Sequence, residues 1–105
     1  MLVHDATFLH EDADRAALTG HSTARQAAQV AADAEVRMLA LTHLSARYSG
    51  GQVRDEARAV FADTEVPRDF DAIEIPLSER GGPELVRWEP QRHSARSAAV
   101  AETTG

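Results

Sequence analysis

The chain has 105 residues, enough for one small domain that buries only ~60 to 65% of the surface its unfolded form exposes. Its 17 acidic residues outnumber 11 basic ones, and the resulting net charge of −6 does not provide the bulk positive surface of a nucleic-acid-binding face. With no cysteine, it excludes disulfides, thiolate metal sites and a cysteine nucleophile, and it fits a reducing, cytoplasmic setting.

Three Phe, one Trp and one Tyr supply little bulk, so Val, Ile and Leu must fill a core set among many alanines. No run approaches the roughly 18 apolar residues of a membrane span, and no basic stretch followed by an apolar one opens the chain. Every base is Arg. Acid excess without lysine suits hydration at high ionic strength and a salt-loving source; an Arg-favouring codon composition with an acidic surface gives the same balance.

Met1-Leu2-Val3 is too short for a full strand and reads as one cut off at its start, followed by the polar residues His4, Asp5 and Thr7. Glu11 to Asp14 reads as an acidic loop or helix start, and Gly20 marks a turn. Thr23 with Gln26 three residues later forms a capping box, and Ala24, Ala27, Ala28, Ala31 and Ala32 recur behind it at helical spacing. A helix over Ala24–Ala34 is predicted. Residues 36–42 then read as a short apolar strand of a buried parallel sheet, ending at His43 and a loop that carries Ser45, Arg47 and Tyr48.

Polar chemistry at the carboxyl end of such a strand matters, because ligands of open α/β sheets bind along that edge. Residues 52–61 give a second amphipathic helix, with Val53, Ala57, Val60 and Phe61 inward and Arg54, Asp55, Glu56 and Arg58 outward. Residues 70–77 and 84–88 read as two strands that pair as a hairpin around Gly81-Gly82-Pro83. Residues 91–105 lose all periodicity, which predicts a disordered tail after a folded portion at 1–90.

Of the five histidines, none forms the i, i+4 pair of a helical metal site, and no complete zinc site can be read. Asp5 and His21 form a general acid/base pair if their loops meet; otherwise each only completes a turn. His43 reads either as a hydrogen-bonded histidine at a strand end or as a metal ligand with partners elsewhere. Arg25 and Arg47 carry forked donors suited to phosphate, although an isolated Arg in such positions is commonly solvated or ion-paired. His10 and His93, in acidic and tail segments, are expected at the surface.

Three motifs in order carry a resemblance. His4-Asp5-Ala6-Thr7 is similar to a His-Glu-Ala-Thr loop, His21-Ser22-Thr23 matches a His-Ser-Thr loop, and Leu41 to Tyr48 resembles a last histidine motif, all of the ribonuclease Z family. Pro67-Arg68-Asp69 is similar to its later Ala-x-Asp motif, with Pro67 in place of Ala. The resemblance implies the C-terminal half of a metallo-β-lactamase αββα sandwich, in the order β-α-β-α-β-β.

The resemblance also implies a two-zinc endoribonuclease that removes the 3′ trailer from precursor tRNA and works as a homodimer. In that setting His43 is a ligand to one zinc, His21 gives a proton to the departing 3′ oxygen and Asp5 supports His21. Arg25 and Arg47 lie near the substrate's phosphates or the base beside the cleavage point. Asp5 departs from the family's Glu and reaches ~1.5 Å less, about one methylene. The family's His-x-His-x-Asp-His motif, second isolated histidine, bridging aspartate and tRNA-binding arm precede the region represented. The expectation is therefore a truncated gene product or partial sequence that is inactive alone. Two other readings are a fragment of another metallo-β-lactamase-fold phosphodiesterase and a non-catalytic module that pairs with a metal-bearing chain.

Overall fold

A computed structural model describes residues 1–90, so the predicted tail and His93 lie outside the described residues. The fold is α/β. It begins with β1 (Leu2–Asp5), a 3-10 turn at His10–Asp12, α1 (Ala13–Thr19) and α2 (Ala24–Ala34). After these come β2 (Leu39–Thr42), α3 (Gly50–Arg58), β3 (Thr64–Glu65), and β4 (Ala72–Glu74) with β5 (Glu84–Val86). Among the described residues, no helix is long and apolar enough to cross a membrane.

β1, β2 and β3 form a parallel sheet in that spatial order, and β4 pairs with β5 as a separate antiparallel ribbon. The register sets Leu2 beside Leu39, His4 beside Leu41 and Asp5 beside Thr42. Leu39 and Leu41 therefore share one face, and Ala40 takes the other. Leu39 and Leu41 join Ala24, Ala27, Ala28 and Ala31 of α2 with Val53 and Ala57 of α3 in the core. The alanine stripe lets α2 lie close to the sheet. Burying Leu39, Leu41 and Val53 contributes roughly 1.5 to 3 kcal/mol each, against the conformational entropy of ordering the chain.

Local chemistry sets the helix ends. The Thr23 hydroxyl accepts from the Gln26 N–H and the Gln26 side chain accepts from the Thr23 N–H, as the sequence predicts. α3 has the same reciprocal cap from Ser49 and Gln52 and so starts at Gly50, earlier than the apolar spacing alone suggests. α1 ends at Gly20, whose φ of 72° is the left-handed conformation that glycine adopts without a Cβ clash.

The expected order β-α-β-α-β-β needs two additions. The acidic segment continues into α1, whose single buried residue, Ala16, gives almost no periodic signal. β3 has only two residues, too few to alternate, yet it pairs with Leu39 and Ala40 of β2. β2 is also shorter than predicted, because Glu35 closes α2 in a left-handed conformation and the strand starts only at Leu39.

Two surface expectations are corrected. Glu56 is half-buried: its carboxylate accepts from the His10 N–H at 2.9 and 3.1 Å and from the Arg25 N–H at 3.1 Å. It thus ties α3 to the starts of the 3-10 turn and α2, where unsatisfied N–H groups favour an anion. His10 is half-buried as well, its Nδ1 3.3 Å from the Thr23 hydroxyl.

In the ribbon, Asp71 accepts from the Arg68 N–H at 2.9 Å, the Trp88 N–H at 2.8 Å and the Arg87 guanidinium at 2.7 Å. The backbone N–H of Arg68, then that of Trp88, and then Arg87 hold its carboxyl down at about 2, from an ordinary 3.8. Because the folded form binds the proton more weakly, the stabilisation is complete above 3.8 and is lost as pH falls through about 2. Asp71→Asn removes that acid-linked loss. Fluorescence of the single Trp, Trp88, followed between pH 5 and about 1.5, should report loosening of the ribbon in the parent chain; Asp71→Asn should already be loosened at neutral pH and lack this transition.

Candidate active site

The parallel register brings β1 and β2 out of the sheet together, so the segments after Asp5 and Thr42 leave from one edge. The Ala6 N–H donates to the Thr42 carbonyl at 2.9 Å and the Ser45 N–H to the Thr7 carbonyl at 3.3 Å, carrying the pairing past the strands. The start of α2 is fastened to the same edge. The Ala24 N–H donates to the Phe8 carbonyl at 2.9 Å, and Phe8 and Thr23 form an isolated parallel bridge.

This arrangement gathers Asp5, His21 and His43. Asp5 Oδ2 accepts from the Ser22 N–H at 2.9 Å and lies 3.7 Å from His21 Nδ1, an ion-pair separation when the ring is protonated. One methylene short of Glu, Asp5 anchors the loop that carries His21 but stops outside hydrogen-bond distance of the ring. The rings of His21 and His43 face each other with centroids 4.9 Å apart and planes inclined by 35°. The Phe8 ring lies 6.4 Å from that of His21 between centroids, its plane inclined by 54°.

His43 takes φ 55°, a left-handed conformation uncommon for a residue with a side chain. It ends β2 sharply and turns the chain into the loop. The Thr7 hydroxyl lies 2.9 Å from both the carbonyl oxygen and the Nδ1 of His43. Thr7 belongs to the motif that the sequence singled out, but nothing in its spacing showed that it reaches His43.

The arginines stand apart from these contacts. Arg25, second in α2, has an exposed side chain. Arg47 places Nη1 3.7 Å from Asp12 Oδ2. The Tyr48 hydroxyl also donates to Asp12, so one carboxylate ties the loop after β2 to the 3-10 turn. The hydrogen bonds and ring contacts joining Asp5, His21 and His43 include neither arginine. Asp12 and Tyr48 escaped sequence reading because a partnership between an acidic turn and a distant loop leaves no periodic trace.

The cluster offers a carboxylate, a half-buried imidazole and an exposed imidazole whose Nδ1 meets the Thr7 hydroxyl and whose Nε2 has no hydrogen-bond partner among the described residues. Among the described residues, no group of three or more His, Asp or Glu is placed to hold a metal ion. The described residues do not by themselves fit a zinc centre, which needs at least three protein ligands.

No family model matches the chain. Curated proteins do. It is 51% identical over 81 residues to ribonuclease Z of Gemmatimonas aurantiaca, covering 75% of this chain and 26% of that protein. It is 48% identical over 85 residues to ribonuclease Z of Haloferax volcanii and 45% identical over 85 residues to that of Enterococcus faecalis, each covering 78% of this chain and 27% of the relative. The chain thus spans about a quarter of the length of these relatives.

Tyr48 is the only tyrosine, so its ionisation reads the tie at Asp12 directly. Burial first, then the hydrogen bond to Asp12, raises its hydroxyl above the ordinary 10.0. An absorbance titration of phenolate should therefore have its midpoint above 10.0, and Asp12→Ala should bring it part of the way back, leaving the contribution of burial. An unchanged midpoint in Asp12→Ala counts against the tie.

Proposed function

We propose that this chain, which belongs to the ribonuclease Z family, forms the C-terminal part of an endoribonuclease that hydrolyses the 3′ trailer from precursor tRNA. The supporting observation is the gathering of Asp5, His21 and His43 at the carboxyl edge of a parallel sheet. Residues 1–90 would be the C-terminal half of an αββα sandwich, completed by the rest of the enzyme. The cytoplasm is the proposed setting, and a homodimer the proposed form of the whole enzyme.

In this reading His21 is the general acid. When the P–O bond to the departing 3′ oxygen breaks, a proton from the ring passes to that oxygen and a 3′ hydroxyl remains on the tRNA. Asp5, fixed by the Ser22 N–H, flanks Nδ1 of His21, so Nε2 is the atom left to face the leaving group. Arg25 and Arg47 supply forked donors toward phosphate oxygens, with Asp12 restraining Arg47. His43 would serve as one ligand of a zinc centre, with the remaining ligands supplied by the rest of the enzyme, and the metal would there activate the hydrolysing water.

One experiment separates the parts. The purified chain, incubated with zinc and precursor tRNA, is expected to leave the RNA intact. Grafted in place of the matching segment of the Gemmatimonas aurantiaca enzyme, it should support cleavage at the mature 3′ end. His21→Ala in the graft should then lower kcat by about 100- to 10,000-fold with precursor binding retained. Cleavage by the chain alone, or full activity of the His21→Ala graft, would contradict the proposal.

A further inference from the structure

We propose that Thr7 is the positioning residue for His43: its hydroxyl holds the imidazole as the Nδ1–H tautomer and leaves Nε2 as the free electron pair. The argument starts from hydrogen-bond capacity. A hydroxyl has one proton, and the Thr7 hydroxyl sits 2.9 Å from two groups of His43, the carbonyl oxygen and Nδ1. A carbonyl oxygen only accepts, so that contact takes the hydroxyl proton. The contact with Nδ1 is then satisfied only if the ring donates to the hydroxyl oxygen. Thr7 is 9% exposed, which leaves little room for water to replace either bond.

The two bonds act at both ends of one residue. The first supports the carbonyl of His43 in its left-handed conformation at φ 55°, and the second sets the ring. Nε2, on the opposite side of an exposed ring, keeps a lone pair for an electron-pair acceptor such as a metal ion or a proton donor. Histidine free in water favours the other tautomer, so the protein must impose this one. The inference stands on these contacts and does not depend on the tRNA reading, whose own test is cleavage.

Long-range proton–nitrogen correlation NMR on the nitrogen-15-labelled chain tests it, at about pH 8.5, some two units above the ordinary imidazole value. The expected result is His43 with its proton on Nδ1 and an unprotonated Nε2. Thr7→Ser, which keeps the hydroxyl, should retain that pattern, whereas Thr7→Val should shift His43 to a mixture dominated by the Nε2–H form. A proton on Nε2 in the parent chain overturns the inference, as does an unchanged Nδ1–H pattern in Thr7→Val. If Thr7→Val does not fold, the parent pattern still decides which nitrogen carries the proton, and retention in Thr7→Ser decides whether the hydroxyl suffices.

Discussion

The parallel pairing of β1 with β2, with Asp5 level with Thr42, is the constraint on which the rest of the site depends. In a parallel pair both chains leave the sheet at the same edge, so residues distant in sequence emerge side by side. Sliding the register by one residue would turn Leu39 and Leu41 out of the core and carry Asp5 to the wrong face. The apolar core and the polar cluster are thus fixed by one decision, and the burial that stabilises the sheet also sets the site.

Helix placement follows from hydrogen bonds that converge on the same edge. Phe8 fastens the start of α2 to the segment after β1, and Glu56 satisfies N–H groups at the starts of the 3-10 turn and α2. Asp12 then links the turn to Tyr48 and Arg47 in the loop after β2. Each carboxylate closes a distance in sequence that apolar packing alone leaves loose. His21 inherits its position from α2, and His43 from β2 and Thr7.

Much of this scaffold was legible. Thr23 and Gln26 marked the start of α2 correctly because a capping box is written in residues three apart, and the hairpin of β4 and β5 was legible from its alternation and turn. α1 and β3 were not, since one buried alanine and a two-residue strand carry no period. Glu56 looked like a solvated helix residue because its partners are backbone N–H groups, which the sequence does not display. Asp5, His21 and His43 were legible as residue types, and the resemblance set Asp5 beside His21, but their separations were not legible. Their distances depend on the register, and Thr7 became visible only once that register was known.

The arrangement is tested most directly by the nuclear Overhauser effect between the ring protons of His21 and His43 in the folded chain. Ring centroids 4.9 Å apart require cross-peaks between the two imidazoles. A spectrum in which both rings are assigned and β1 and β2 show their parallel contacts, yet no effect links the rings, would contradict the assembly of a single site.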